Sequence, residues 1–333
     1  MNQDVNQDVS SDVIPDGRPD VSSDVNQDVD PDRRLPGRFE SIDSVRERLG
    51  EVAYLADAGA AGVVFLADRL GKPVLVEGPA GVGKTELAKS VAKITASRLI
   101  RLQCYEGLDE SKALYEWNYR KQLLHIQSAG TSEVEPERDI FGEEFLLERP
   151  LLAAIRSSEP VVLLIDEVDR IEMETEALLL EVLSDYQVSI PEMGTVRAAQ
   201  VPLVFLTSNS TRELSEALVR RCLYLHMDYP DAERERRIIR ARVPGVSERL
   251  ADQVARIVRL VRTVELKKQP SVAETLDWAR TLVLLGIESV GPEEARDTLH
   301  VLCKHASDIE KAAKELFTVG ADVQAGADNA MER

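Results

Sequence analysis

The sequence is poor in the residues from which metal and disulfide frameworks are built. Its 333 residues include three cysteines and four histidines. Cys104, Cys222 and Cys303 lie far apart with no Cys-x-x-Cys spacing, so neither a zinc site nor a disulfide network is expected, and a reducing cytoplasm fits. No apolar run approaches the roughly 18 residues that a membrane span needs. The start, Met1-Asn2-Gln3-Asp4, lacks a basic stretch followed by an apolar core, so neither export nor membrane insertion is expected. Basic residues are in deficit: 41 Lys and Arg against 59 Asp and Glu leave a net charge of −18. That balance disfavours a nucleic-acid or anionic-membrane surface over the whole molecule, while a local basic groove stays open. What is present, 44% hydrophobic and 30% charged residues, suffices for a sizeable core and about two domains.

Residues 1–32 carry aspartate at every fourth position, from Asp4 and Asp8 to Asp28 and Asp32, within near-repeats such as Asn-Gln-Asp-Val and Ser-Ser-Asp-Val. Such a segment buries too little apolar surface to offset chain entropy, so residues 1–35 are expected to be a disordered acidic tail. Asp-x-x-x-Asp repeats can gather cations, but this one lacks the glycine turns that wrap calcium in nonapeptide repeats. A solvated spacer is the simpler reading. From Phe39 the composition changes. The apolar spacing predicts helix over Ser41 to Leu70, ended by Gly71-Lys72-Pro73. Five strands are predicted at Pro73 to Glu77, Arg98 to Cys104, Val161 to Asp166, Leu203 to Ser208 and Leu223 to Met227. Short apolar runs with helices between them imply an α/β domain with a parallel sheet covered on both faces, over residues 36–230. After Tyr229-Pro230 the strand signal stops. Helices are predicted over Ala232 to Arg242, Ser247 to Val264, Ser271 to Leu285 and Pro292 to Leu316, a separate helical domain over 231–318, with a flexible tail at 319–333.

The first strand runs directly into Gly78-Pro79-Ala80-Gly81-Val82-Gly83-Lys84-Thr85, and Glu86 opens a helical stretch. In this context the glycines let backbone N–H groups converge on phosphate oxygens and the helix N-terminus adds partial positive charge. Lys84 reaches the β- and γ-phosphates, and Thr85 ligates magnesium. The expected ligands are ATP and Mg2+. The third strand ends in Asp166-Glu167. Asp166 is read as a magnesium ligand and Glu167 as the group that polarises the attacking water, which separates water-activating NTPases from kinases. The fourth strand ends at Asn209, read as orienting that water, or otherwise as capping the turn before Thr211-Arg212-Glu213. Glu216-Ala217-Leu218-Val219-Arg220-Arg221 ends a helix before the fifth strand. Arg221, with Arg220 as the alternative, is read as an arginine finger acting on a neighbouring subunit; cations complementing a helix C-terminus are the competing reading.

Together these residues resemble the AAA+ ATPases, over about Phe39 to Leu316. The resemblance implies a five-stranded parallel sheet of order 5-1-4-3-2 with an all-helical C-terminal lid. The finer resemblance is to the MoxR type, carried by the long passage Tyr105 to Pro160, the helix Glu174 to Leu183, and Tyr186 to Arg197, a β-hairpin turning at Glu192 to Gly194. Gln103 to Asp109 and Pro270 to Ala279 are similar to the CoxD-like branch, linked to carbon monoxide dehydrogenase maturation. This implies a chaperone-like ATPase acting as a homo-oligomeric ring, a hexamer. Its implied partners are a protein client, a molybdenum enzyme in that branch, and a von Willebrand A-domain protein. One departure is visible: relatives place a lid arginine near Ser271 to Thr275, where this chain has Val272-Ala273-Glu274, with Arg280 about two turns further. Leu114 to Arg120 is read either as an exposed aromatic grip or as a helix packing Trp117 on the large domain, with packing favoured; Thr131 to Arg138 is read as a surface loop. A nucleic-acid motor or restriction-type NTPase would need a basic stripe, yet residues 105–160 hold no basic cluster beyond Arg120-Lys121. A nucleotide-gated binding module with low turnover is the third reading, weighed against by Glu167 and Asn209.

Overall fold

The computed structural model describes residues 37–129 and 140–316; the acidic repeat, the loop Thr131 to Arg138 and the C-terminal tail lie outside the described residues. The chain enters through α1 (Ile42–Glu51) and α2 (Ala58–Leu70), then alternates β1 (Val74–Glu77), α3 (Lys84–Ile94) and β2 (Arg98–Gln103). An insertion follows: α4 (Glu110–Ala113), β3 (Tyr115–Trp117), α5 (Tyr119–Ala129) and β4 (Leu146–Glu148). The alternation resumes with α6 (Pro150–Arg156), β5 (Val161–Asp166), α7 (Met173–Asp185), the hairpin strands β6 (Gln187–Ile190) and β7 (Gly194–Arg197), β8 (Leu203–Ser208), α8 (Glu216–Val219) and β9 (Leu223–His226). The C-terminal region is helical, with α9 (Ala232–Arg242), α10 (Glu248–Thr263), α11 (Val272–Leu284), α12 (Pro292–Leu302) and a further helical stretch at 306–316.

Strands β2, β5, β8, β1 and β9 form one parallel sheet in that order. Counted along the core strands, this is the expected order 5-1-4-3-2 read from the opposite edge. Every residue of β5 and β8 is buried, because helices cover both faces. Leu163 and Ile165 pack with Leu151 and Ile155 of α6 and Leu179 and Val182 of α7. Val162 and Leu164, one residue out of phase, pack with Val45 of α1, Val64 of α2 and Leu87 of α3. Each such side chain contributes about 1.5–3 kcal/mol on burial, which explains why these strands read as unbroken apolar runs. A third apolar core holds the helical region together around Trp278, whose indole N–H donates to Thr298 Oγ1 at 2.8 Å.

Three expectations are corrected. The helix over Ser41 to Leu70 is two helices. The chain turns at Ala53, whose φ of 57° is left-handed, and Asp57 restarts it by accepting the Ala60 amide at 2.7 Å, a cap that contributes about 1 kcal/mol. Trp117 is buried, as the packed reading holds, but on a strand: β3 pairs antiparallel with β4, and the indole meets Phe141 edge to face at 5.3 Å. The helix over Pro292 to Leu316 breaks after Leu302, where Cys303 is extended and 2% exposed.

Helix α11 begins with a capping box. Ser271 Oγ accepts the Glu274 amide at 3.3 Å, and Glu274 Oε2 accepts the Ser271 amide at 2.8 Å. This first turn abuts the loop between β1 and α3, where the Val272 amide donates to the Gly81 carbonyl at 3.1 Å.

Candidate active site

The loop from Gly78 to Thr85 joins the interior strand β1 to α3, and its path leaves no room for a side chain at two positions. At Gly78 φ is 150° and a Cβ would lie 1.9 Å from the Met227 carbonyl oxygen; at Gly81 φ is 76° and a Cβ would lie 2.3 Å from Ser271 Cβ. Both positions therefore require glycine. Lys84, 6% exposed, folds back over the loop. Its ammonium donates to the carbonyls of Gly78 (2.6 Å) and Pro79 (2.8 Å) and to Asn209 Oδ1 (2.8 Å). Burial lowers its pKa from the ordinary lysine value, and the charges of Asp169, Asp166 and Glu167 partly restore it.

Asp166 ends β5, between β2 and β8 in the sheet. Its Oδ1 accepts from the hydroxyls of Thr85 (3.0 Å) and Thr207 (2.5 Å), and its Oδ2 is paired with Arg101 of β2. Glu167 follows in a left-handed conformation, φ 58° and ψ 49°, which costs a residue with a side chain about 1 kcal/mol or more. The Glu167 amide donates to Thr207 Oγ1 at 2.9 Å, and the carboxylate pairs with Arg170 at 3.1 Å. The turn Val168–Arg170 then places Asp169 beneath the end of β8. There it accepts the amides of Asn209 (3.1 Å) and Thr211 (3.0 Å) and the Thr211 hydroxyl (2.6 Å). Burial raises the Asp169 pKa, but these bonds outweigh it and leave the carboxyl below its ordinary value.

The loop, both acids and Asn209 thus converge on one cleft of about 480 Å³, within the size range of small-molecule sites. Its far wall comes from the break between α1 and α2 (Tyr54, Leu55), from α9 (Arg234, Ile238, Arg242) and from α11 (Val272, Leu276). Arg234 is fixed to Asp57 (2.8 Å) and the Leu55 carbonyl (2.9 Å), and Arg242 pairs with Glu86. Tyr54, Arg101, Thr207, Asp169, Arg234 and Arg242 are the parts that the sequence reading does not single out. Asp169 had a signal, a third acid three residues after Asp166; Tyr54 had none once its segment is read as continuous helix. No lid arginine enters from α11. Arg280 is exposed and pairs with Asp277 at 2.9 Å.

Thr85 and Asp166 present two hard oxygen donors side by side at the phosphate end of the cleft, a donor set suited to Mg2+, so the residues fit the cation that the loop motif implies. Arg220 and Arg221 stand apart from this cleft. Arg221 is tied within its own chain, donating to Ser184 Oγ (2.7 Å) and the Ala217 carbonyl (3.0 Å). Arg220 is exposed, and its side chain has no polar partner among the described residues.

A phosphate loop on a parallel sheet of this order, with acids at the end of the next strand but one and a helical C-terminal region, defines the AAA+ P-loop fold. Residues 73–222 match the family model described as the AAA domain of the dynein-related subfamily. A gas vesicle ATPase of Haloferax mediterranei is 29% identical over 202 residues, covering 58% of this chain and 57% of its own length. An uncharacterized protein of Staphylococcus aureus is 26% identical over 253 residues, covering 73% of this chain and 88% of its own. Among solved structures, the RuvB Holliday junction branch migration motor of Thermotoga maritima is similar at 20% identity with a TM-score of 0.42, over 80% of this chain and 72% of that one. No helix among the described residues is long and apolar enough to cross a membrane.

Proposed function

We propose that this chain is an ATP-hydrolysing, chaperone-like AAA+ ATPase of the MoxR type that works as a homo-oligomeric ring, a hexamer, in the cytoplasm and remodels a protein client. The observation that carries the hydrolysis is the pair of bonds from the phosphate loop to the other two motifs: Lys84 to Asn209 at 2.8 Å and Thr85 to Asp166 at 3.0 Å. They hold the loop against the ends of β8 and β5, and Glu167, next to Asp166, lines the same cleft, which supports a shared role of these groups in hydrolysis.

In this reading Lys84 stabilises phosphate charge, Thr85 and Asp166 hold Mg2+, Glu167 draws a proton from the attacking water, and Asn209 orients that water. Bound Mg2+ supplies charge neutralisation and phosphate orientation. The sequence ranks Arg221 first as the trans-acting arginine, but the anchoring of Arg221 to Ser184 and Ala217 favours the unpartnered Arg220. The client role is supported by the Gln103 to Asp109 and Pro270 to Ala279 resemblance. This points to metalloenzyme maturation, with a molybdenum enzyme as client and a von Willebrand A-domain protein as partner.

Steady-state phosphate release by the wild type and by Glu167→Gln tests the core of this reading. The wild type turns over with Mg2+-ATP and the variant binds nucleotide without turning over. Equal rates sink the role of Glu167, and turnover stimulated by DNA would replace the protein client with a nucleic-acid one.

A further inference from the structure

Asp169 is more than the acid that closes a turn. It is 3% exposed, and a single oxygen, Oδ2, accepts all three donors from Asn209 and Thr211. Oδ1 is buried with no hydrogen-bond partner among the described residues. The residue between its two amide donors, Ser210, has φ 58°, a conformation that side-chain-bearing residues rarely adopt. The main chain after β8 is therefore bent sharply around one carboxylate oxygen, and the bend begins at Asn209.

The neighbouring tie runs the other way. Thr207, on β8, donates to Asp166, the last residue of β5, and accepts the amide of Glu167, which follows it. Asp169, on the turn after β5, accepts the amides beyond β8. Two ties of opposite direction fix the end of one strand against the end of the next, with Glu167 on one side and Asn209 on the other. Asn209 in turn accepts from Lys84. An acid that merely capped its own turn would accept local amides; the bonds of Asp169 all go about 40 residues away.

We infer that Asp169 is a positioning residue for hydrolysis: it sets Asn209 at its working distance from Glu167 and Lys84 without touching nucleotide or water itself. This rests on the hydrolysis reading above. The bonds go to main-chain amides, so what matters is an acceptor oxygen at this point rather than a proton carrier, and asparagine supplies the same oxygen. Positioning errors of about 1 Å cost on the order of 10²-fold in rate, and that loss falls on turnover rather than on the binding of nucleotide by the loop.

The experiment compares the wild type, Asp169→Ala and Asp169→Asn for kcat, KM, affinity for a fluorescent ATP analogue, and thermal midpoint. Asp169→Ala is expected to keep nucleotide affinity within about threefold and to lose about 10²-fold in kcat. Asp169→Asn is expected to recover most of that loss. The inference is overturned if Asp169→Ala turns over like the wild type. It is also overturned if its affinity and thermal midpoint collapse together with kcat, or if asparagine gives no rescue. Should Asp169→Ala fail to fold, Thr211→Val, which removes one of the three donors, takes its place; it must lower kcat at unchanged affinity, and wild-type kcat overturns the inference. A wild type that binds ATP without hydrolysing it overturns the underlying reading itself, a result distinct from all of these.

Discussion

Lys84 has three ammonium hydrogens and a partner for each, two loop carbonyls and Asn209. Removing it leaves those acceptors without their donor and the loop without its cation, so Lys84→Ala is expected to lose nucleotide binding. Lys84→Arg does not restore it, because a planar guanidinium does not fit a pocket shaped for a compact ammonium; fluorescence titration with a labelled nucleotide reads both. Glu167→Gln separates binding from chemistry: affinity stays and kcat falls by about 10²–10⁴-fold, the usual contribution of a positioned base. The residues of these two predictions were legible in the sequence because Lys84 closes a glycine-rich loop at the start of a helix and Glu167 follows a strand end, places where each side-chain type has a chemical reason to be. The positioning groups were less legible. Thr207 has no distinctive spacing, Asp169 has only its distance of three residues from Asp166, and the roles of both depend on β5 and β8 being neighbours, which pairing across about 40 residues decides.

Among the elements, the five core strands were readable almost to the residue because β5 and β8 are buried along their whole length and all five have polar or turn-forming residues at or near their ends. The α1–α2 break was not, since its Val-Ala-Tyr-Leu-Ala composition suits a helix and only the left-handed Ala53 interrupts it. Helix α7 shows how one element orders several loops. Its Glu176, 2% exposed, is paired with Arg212 and accepts the Ser215 amide at 3.0 Å, holding the approach to α8. Burial raises the pKa of Glu176, but the bonds from Ser215 and Arg212 prevail and leave it below the ordinary 4.5. Folding thus favours its ionised form, so its stabilisation is present above about pH 4.5 and fades as pH falls through the lower folded value. Glu176→Gln is expected to lower stability at neutral pH by about 1.5–3 kcal/mol and to lose less than the wild type on acidification, as chemical denaturation at several pH values would record.

At the scale of the whole molecule, the cleft gathers the phosphate loop, Asp166 and Glu167, but neither Arg220 nor Arg221 of the same chain lines it. Mixed assemblies test whether a neighbour supplies one of these arginines. Arg220→Ala and Lys84→Ala are each expected to be inactive alone, and mixing them regains part of the activity at subunit pairs where an intact arginine faces an intact loop. No regain at any ratio, with assembly verified by light scattering, excludes a trans role for Arg220. The bond between the Gly81 carbonyl and the Val272 amide has a separate consequence. A link made only of main-chain atoms cannot be strengthened or weakened by exchanging side chains; it can only be cut. Val272 is the first residue of its helix, and Ser271 before it is extended at φ −81° and ψ 168°, the setting in which proline is well tolerated. Val272→Pro therefore removes this amide hydrogen and exchanges one side chain of the cleft wall while leaving the helix intact, and Val272→Ala, which keeps the amide, controls for the side chain. Scattering profiles with and without nucleotide would then show whether the helical region still follows the loop once that thread is gone, with a loss of the nucleotide-dependent change as the expected result.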